Sequence, residues 1–243
     1  PEALIIGEIW YYAGDFLEGD EWDTVMNYDF FFGVKKLIAE ESITVSQFME
    51  TLGRLRGNLH NKIYPVLWNL IDSHDTARFL HVCGENKDKH KMAVALQLLL
   101  PGMPFIYYGD EYAMTGGDDP DCRRPMPWSK IEEGKFDRTL EQVKTLITLR
   151  KDCPAARRGA VQWQLDEKNP RLICYRREAE GEVLTVYIHA GTEPVQLTQK
   201  GKPVFARKMR GRTLMGGGIA IYRQACWGIS WAAATAKIGD RII

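Results

Sequence analysis

The stretch ALIIGEIW, residues 3–10, shows a pattern that returns along the first half of the chain. Four apolar residues lead to a glycine, and the charged Glu8 follows at once. We expect residues 3–7 to form a short buried strand, because an apolar run closed by glycine is typical of one. The runs PVLWNLIDSHD (65–75) and MPFIYYGDE (103–111) also pass from apolar to charged residues. The sequence therefore predicts several strands that end in acidic or histidine-containing loops.

Segments with a helical spacing of apolar residues separate these runs: 34–59, 89–100 and 136–151. Thr44 and Ser46 are both candidate N-caps in the first segment. The run TVMNYDFFF (24–32) is a candidate further strand. Alternation of strand and helix over residues 1–151 favours βα units and a parallel sheet. A (β/α)8 barrel and a doubly wound sheet both place ligands at the carboxyl ends of their strands, so the pattern alone leaves both open.

The character of the sequence changes after residue 153. Short segments with partial apolar alternation follow: AVQWQL (160–165), RLICYRRE (171–178), VLTVYIHA (183–190), PVQLTQ (194–199) and GIAIYR (218–223). They predict an antiparallel β-domain, which we expect to be a sandwich. The predicted organisation is an α/β domain at 1–152, a β-sandwich domain at 153–224, and a tail at 225–243 that fits neither pattern.

Composition narrows the possible partners. The 32 basic and 32 acidic residues cancel, which favours neither nucleic acid nor an anionic membrane. The 5 cysteines are scattered, so we expect free thiols in a reducing, cytoplasmic setting, with no metal or other cofactor. The start, PEALIIGEIW (1–10), lacks the basic region of a signal peptide. It also lacks an initiator methionine, from which we expect a longer parent protein.

Two of the predicted strand ends carry residues suited to cutting glycosidic bonds. Such a hydrolase needs one carboxyl group held protonated and one ionised carboxylate near the anomeric carbon. Glu8, at the end of an apolar strand and close to Trp10, is expected to be partly desolvated, which favours the protonated form. His74 and Asp75 offer a donor and an acceptor for neighbouring sugar hydroxyls.

Structural roles compete with these assignments. Spacing alone also fits Glu8 as a solvated charge at a strand end or as an acidic residue at a helix N-terminus, and Asp75 as the cap of a following helix. Trp10, taken alone, fits packing better than a sugar platform. The pair Asp110 and Glu111 fits a structural salt bridge at least as well as a ligand contact. We assign structural roles to the remaining histidines: His60, His81, His90 and His189.

Three long strings favour the glycosidase. Similarity to the α-amylase family of glycoside hydrolases is carried by GEIWYYAGDFLEGDEWDTVMNYDF (7–30), VLWNLIDSHDTARFL (66–80) and LLLPGMPFIYYGDEYAMTGGDDPDCRRPMPW (98–128). Within the family the strings most resemble the neopullulanase, cyclomaltodextrinase and maltogenic amylase group. Residues 161–223 weakly resemble the family's C-terminal β-domain. The resemblance implies retaining hydrolysis of α-glucosidic bonds in cyclodextrins, maltooligosaccharides or pullulan.

The resemblance also implies roles for particular residues. Glu8 matches the family's general acid/base at the end of barrel strand five. Asp75 matches the carboxylate that binds sugar hydroxyls and stabilises the transition state, and His74 matches the histidine that contacts the same sugar. Trp10 matches an aromatic residue on the acceptor side of the cleft. Arg78 matches a common position to which we assign no role.

The chain departs from the family pattern at the nucleophile. The family's nucleophilic Asp lies in a G-x-R-x-D-x-A-type string at the end of strand four, and this sequence has no such string. The nearest R-x-D, at residues 150–152, falls in a predicted helix. We therefore expect a chain that begins at strand five: the second half of a (β/α)8 TIM barrel (strands five to eight), followed by the β-sandwich. We expect this chain to be inactive alone.

The expected partner is an α-glucan oligosaccharide. Half a barrel leaves strand edges and one face of the core open, so we also expect a homodimer or association with the missing N-terminal half. Two other functions remain open. One is a non-catalytic carbohydrate-binding or interaction module of the same fold. The joint presence of Glu8, His74 and Asp75 favours the enzyme over this module. The other is a related α-glucan transglycosylase or isomerase.

Overall fold

The computed structural model describes residues 2–225, which form two sheets with helices packed on them. The helices are α1 (Tyr28–Val34), α2 (Val45–Asn58), α3 (Phe79–Val82), α4 (Lys87–Leu99), α5 (Trp128–Glu132), α6 (Asp137–Asp152) and α7 (Pro154–Arg158). The strands are β1 (Ile6–Gly7), β2 (Thr24–Asn27), β3 (Trp68–Asn69), β4 (Met103–Pro104), β5 (Ala160–Trp163), β6 (Leu172–Ala179), β7 (Glu182–His189), β8 (Val195–Gln196), β9 (Phe205–Arg210) and β10 (Thr213–Ala225).

The first four strands form a parallel sheet in the order β1-β2-β3-β4. Ile6 pairs with Thr24, and Trp68 pairs with both Met26 and Met103. Parallel strands need long connections, which helices and loops supply here. The carboxyl ends of these strands therefore meet at one edge of the sheet, and the expected parallel sheet is confirmed.

The first strand is shorter and more exposed than predicted. The predicted buried strand covers residues 3–7, whereas the paired residues are Ile6 and Gly7, and residues 2–6 are exposed. The physical reason is position, since β1 lies at an edge of the four-stranded sheet and pairs with β2. An apolar pattern shows that a strand is suited to burial, but an edge strand has a neighbour on one side only and stays partly exposed.

The run at residues 24–32 is divided between a strand and a helix. β2 ends at Asn27 and α1 begins at Tyr28. The Asn27 side chain accepts a hydrogen bond from the Phe30 amide at 3.1 Å, which caps the start of the helix. The prediction of a strand through the whole run is wrong, because this cap turns the chain and the helix buries its aromatic residues.

The helix predicted within residues 34–59 is present as α2. Thr44 is its N-cap, and the hydroxyl of Thr44 accepts from the Gln47 amide at 3.2 Å. The Gln47 side chain in turn accepts from the Thr44 amide at 2.9 Å, which completes a capping box. The other two predicted helices, at 89–100 and 136–151, correspond to α4 and α6.

The last six strands form an antiparallel sheet in the order β5-β6-β7-β10-β8, with β9 also paired to β10. β10 changes partners along its length: Thr213 and Leu214 pair with β8, whereas Ile219 to Ala225 pair with β7. β9, in which half-buried and exposed residues alternate, was not among the predicted strands. The antiparallel pairing is confirmed, while the sandwich form stays a prediction.

One buried apolar cluster joins helices from the first part of the chain to the antiparallel sheet. It contains Leu37 and Leu96 together with Ile188 and Ile221, all fully buried or nearly so. The division at 152/153 into two domains stays a prediction, and this shared cluster means that the two parts support each other's packing. The predicted tail at 225–243 lies outside the described residues after Ala225.

Four cysteines lie in the described part of the chain, and each is a buried free thiol: Cys83, Cys122, Cys153 and Cys174. Cys226 lies outside that part. Within residues 2–225 there is no group of three or more His, Cys, Asp or Glu side chains arranged to hold a metal ion. No helix among the same residues has the length and apolar character needed to span a bilayer.

Candidate active site

Glu8 lies directly after β1, at the end of the sheet formed by the carboxyl termini of the parallel strands. Its Oε1 accepts a hydrogen bond from the Tyr28 hydroxyl at 3.0 Å. The expected partial desolvation of Glu8 is wrong for the described chain, because the residue is exposed beside the open sheet edge. An exposed carboxylate with one hydrogen bond is free to meet a ligand from the solvent side.

Tyr28 connects Glu8 to the loop after β3. Its hydroxyl also lies 3.4 Å from Ser73 Oγ, which accepts a hydrogen bond from the Asp75 amide at 3.2 Å. Burial raises the pKa of Tyr28 to about 12, and the nearby carboxylates of Glu8 and Asp75 add to the rise. Tyr28 therefore stays a neutral hydrogen-bond donor at any pH at which the protein would work.

His74 and Asp75 are both exposed and contact each other. His74 Nε2 lies 3.3 Å from Asp75 Oδ1. Arg123 reaches the same pair from a later loop: its Nε donates to the His74 carbonyl at 2.9 Å, and its Nη2 lies 3.5 Å from Asp75 Oδ1. Arg123 thus holds the loop in place, while the His74 imidazole and the Asp75 carboxylate remain exposed to solvent.

Trp10 stacks on Tyr28, with ring centroids 5.0 Å apart and an interplanar angle of 23°. Its side chain is 46% exposed. One face of the indole is therefore packed against the ring that contacts Glu8, and much of the remainder is open to solvent. Trp10 therefore fits both interpretations, core packing and a sugar-binding platform, because its packing against Tyr28 fixes an aromatic surface beside the Glu8 carboxylate.

All four predicted site residues lie around Tyr28 and Ser73. Glu8 and Trp10 contact Tyr28 directly, and the loop bearing His74 and Asp75 is tied to it through Ser73. Tyr28, Ser73 and Arg123 were not among the predicted site residues. The position of Tyr28 at the end of a parallel strand could have drawn attention to it. No local pattern marks Arg123, because it meets Asp75 only through the fold.

Beneath this loop lies a buried charged cluster built on Arg78. Its Nε donates to the Cys122 carbonyl at 2.8 Å, and its Nη1 donates to the Tyr108 carbonyl at 2.6 Å. Nη1 also lies 3.3 Å from Asp110 Oδ1, and both side chains are almost fully buried. Asp110 is therefore a structural partner of Arg78, as the salt-bridge reading of the sequence allowed.

A second buried carboxyl group, that of Asp72, neighbours Asp110. Asp72 Oδ2 accepts from the Phe79 amide at 2.7 Å. Burial raises the pKa of both carboxyl groups, and the negative charge of Asp72 raises that of Asp110 further. Both effects favour the protonated form of Asp110. A proton held by Asp110 would leave the pair with a single negative charge opposite Arg78.

An Asp110→Asn variant tests this protonation state. The amide imitates the protonated carboxyl and cannot ionise, so we expect the variant to be at least as stable as the unsubstituted chain at neutral pH. The unfolded carboxyl titrates near ~3.9, whereas the folded one titrates higher, so wild-type stability relative to the variant falls as pH rises through the folded pKa. Urea unfolding at pH 5 and pH 9 measures the trend.

The exposed Asp118→Asn serves as the control, and its difference from wild type should not follow that trend. A wild-type chain that gains stability over Asp110→Asn as pH rises would show that Asp110 is ionised in the folded state.

A protein-family model described as "Alpha amylase, catalytic domain" matches residues 1–170. The chain belongs to the α-amylase family. The matched range includes both strand ends of the candidate site and the Arg78 cluster.

Two curated relatives illustrate the extent of the similarity. Neopullulanase 2 of Thermoactinomyces vulgaris is 42% identical over 190 residues, which cover 78% of this chain and 32% of the relative. A cyclomaltodextrinase of Geobacillus thermopakistaniensis is 36% identical over 206 residues, which cover 83% of this chain and 35% of the relative. The chain thus spans about a third of the length of these family members.

Solved structures of the α-amylase family share the fold of this chain. The ligand-free "Cyclic alpha-maltosyl-(1-->6)-maltose hydrolase" of Arthrobacter globiformis superposes with a TM-score of 0.79 at 29% identity. The match covers 91% of this chain and 49% of the hydrolase. A structure described as "Cyclomaltodextrinase" gives a TM-score of 0.76 at 31% identity and covers 90% of this chain and 40% of that one.

Proposed function

We propose that this chain supplies the acid/base half of a retaining α-glucan hydrolase of the cyclomaltodextrinase or neopullulanase type. The substrates would be cyclodextrins, maltooligosaccharides or pullulan. The observation that carries the proposal is the hydrogen-bonded connection from Glu8 through Tyr28 and Ser73 to Asp75. It links the Glu8 carboxylate to the backbone amide of Asp75, and so brings together acidic residues from two strand ends at the carboxyl end of a parallel sheet, where barrel enzymes hold their substrates.

In the proposed mechanism Glu8 protonates the leaving glycosidic oxygen and later removes a proton from the attacking water. Asp75 and His74 hydrogen-bond hydroxyls of the sugar whose bond is cut. Trp10 packs against the sugar on the acceptor side. Tyr28, a neutral donor, fixes the Glu8 carboxylate, and Arg123 fixes the loop that bears Asp75.

The nucleophile must come from elsewhere. A retaining enzyme holds its nucleophile and its acid/base about 5–5.5 Å apart, so the attacking Asp has to lie next to Glu8. Within the described residues the polar neighbour of Glu8 is the Tyr28 hydroxyl, and no Asp is hydrogen-bonded to this pair. The chain by itself would hold the leaving group without attacking the anomeric carbon.

We further propose that β1 to β4 are strands five to eight of a (β/α)8 barrel. Their parallel order and the placement of both candidate carboxylates at the carboxyl edge support this assignment. Large apolar side chains are exposed on the two edge strands and the residues beside them: Leu4, Ile5, Ile6, Met103 and Ile106. Open edges of a parallel sheet are rare in isolation, so the proposed partner is a complementary half-barrel or a second copy of the chain.

The proposed location is the cytoplasm. Four buried free thiols suit a reducing compartment. A relative described as "Intracellular maltogenic amylase" of Bacillus subtilis is 33% identical over 193 residues.

The decisive experiment compares the chain alone with the chain plus a separately produced first half of a barrel from a family member. We expect no release of glucose or maltose from β-cyclodextrin or maltotriose by the chain alone, because it lacks the nucleophile. Sedimentation of the mixture should show a complex, and that complex should release sugar. Hydrolysis by the chain alone would show that an unrecognised carboxylate completes the site. A stable complex without activity would contradict the proposed function.

A further inference from the structure

A cavity of about 530 Å³ lies away from the candidate active site, between α2, α7 and β5. None of the four proposed site residues lines it. Its size falls in the range of small-molecule sites, roughly 300–1,000 Å³. The cavity therefore has room for a ligand larger than a simple ion.

Arg177 lines this cavity while being only 1% exposed. Its Nε donates to the Gly159 carbonyl at 2.9 Å, and its Nη1 donates to the carbonyls of Leu99 and Ala156. Those carbonyls belong to the last turn of α4 and to α7. The described residues provide no hydrogen-bond acceptor for Nη2 and no carboxylate partner for this guanidinium.

The charge of Arg177 therefore lacks a counterion in the described part of the chain. Burial lowers the pKa of its guanidinium to about 10, and the positive charge of Arg150 nearby acts in the same direction. Arg177 is still protonated at neutral pH. Carbonyl dipoles offset part of the desolvation of a buried cation, and an anion would offset the rest.

Two further arginines add positive charge at the cavity. Arg56 on α2 and Arg157 on α7 are exposed, and neither has a carboxylate within salt-bridge distance among residues 2–225. Arg158 is paired with Glu180 at 2.5 Å. The acidic residue on the lining is Glu50, so positive charge is in excess.

The remaining walls are apolar and aromatic. Leu52, Val161, Trp163 and Tyr64 line the cavity together with two prolines. Trp163 is held edge-on by Phe48 at 6.1 Å, so its position is set by the core. A site with a cationic floor and fixed aromatic walls favours a ligand that has both an anionic group and an apolar ring.

We propose that this cavity is a binding site for a small organic phosphate, with the phosphate on Arg177 and the exposed arginines and the ring against Trp163. Arginine suits this ligand because its planar fork makes charge-assisted hydrogen bonds to phosphate oxygens. The site is independent of glycoside hydrolysis.

Phenyl phosphate, inorganic phosphate and phenol are the probes, titrated into the full chain by calorimetry. We expect phenyl phosphate to bind saturably, inorganic phosphate to bind about tenfold or more weakly, and phenol not to bind at all. Equal affinity for the two phosphates would overturn the role of the apolar walls. Absence of phenyl phosphate binding at millimolar concentration would overturn the site.

Gly53 and Gly57 provide a matched pair of variants on α2. A Cβ added at either glycine meets open space, but only Gly53 lines the cavity. We expect Gly53→Trp to fill the cavity and weaken phenyl phosphate binding by about tenfold or more, whereas Gly57→Trp changes it less than about twofold. Equal effects of the two variants would place the binding elsewhere.

Arg56 and Arg54 provide a second pair with the same change of charge. Both are exposed on α2, and only Arg56 lines the cavity. We expect Arg56→Gln to weaken binding about three- to tenfold, as the loss of one charge-assisted contact does, and Arg54→Gln to leave it unchanged. An equal loss of affinity in both variants would show that binding depends on the net charge of the chain, and it would contradict a specific site in this cavity.

Discussion

The Glu8→Gln variant is expected to hydrolyse β-cyclodextrin about 10²–10⁴-fold more slowly than the unsubstituted chain when each is assembled with a first barrel half. The amide keeps the size of the side chain and still accepts from the Tyr28 hydroxyl. It has no carboxyl proton to give to the leaving oxygen. Initial rates of reducing-sugar release, with complex formation measured by sedimentation, separate a chemical defect from failed assembly.

The matched control is Glu21→Gln, which makes the same chemical change at an exposed residue of the loop before β2. We expect its rate to stay within about twofold of the unsubstituted assembly, because surface substitutions away from a site have small effects. An assembled Glu8→Gln complex with undiminished rate would remove Glu8 from the mechanism. That result would support the alternative function, a non-catalytic module that binds carbohydrate without hydrolysing it.

Replacing Arg78 by Met should lower the unfolding free energy of the chain by about 3–5 kcal/mol. The side chain is fully buried and joins two backbone carbonyls to Asp110. Methionine is of similar length but donates no hydrogen bond, so the carbonyls of Tyr108 and Cys122 and the charge of the carboxyl pair lose their partner. Urea unfolding at neutral pH, followed by tryptophan fluorescence, measures the difference.

Arg158→Met is the control, since Arg158 pairs with Glu180 at the surface. Exposed ion pairs contribute about 1 kcal/mol or less, so we expect a small change there. Equal losses for both variants would contradict the burial argument. The Arg78→Met chain should also hold the loop of His74 and Asp75 less firmly, because Cys122 and Arg123 contact the His74 carbonyl.

The sequence by itself determined the local structure and the family resemblance. Apolar runs predicted the parallel strands, helical spacing predicted α4 and α6, and Thr44 was one of two candidate N-caps for α2. The strings around Glu8 and His74-Asp75 also predicted the family to which the chain belongs. These features depend on residues close in sequence, whose hydrogen bonds and periodicity are set by their immediate neighbours.

Tertiary structure alone decided how those pieces meet. Glu8 is exposed beside the edge strand β1, and the hydroxyl of Tyr28 reaches Glu8 and Ser73 across 20 and 45 residues of sequence. The pairing of Arg78 with Asp110 joins positions 32 apart, and the cavity around Arg177 brings α2 next to β5. Such contacts follow from the packing of whole elements against one core, because side chains far apart in sequence become neighbours only after the helices and sheets are in place.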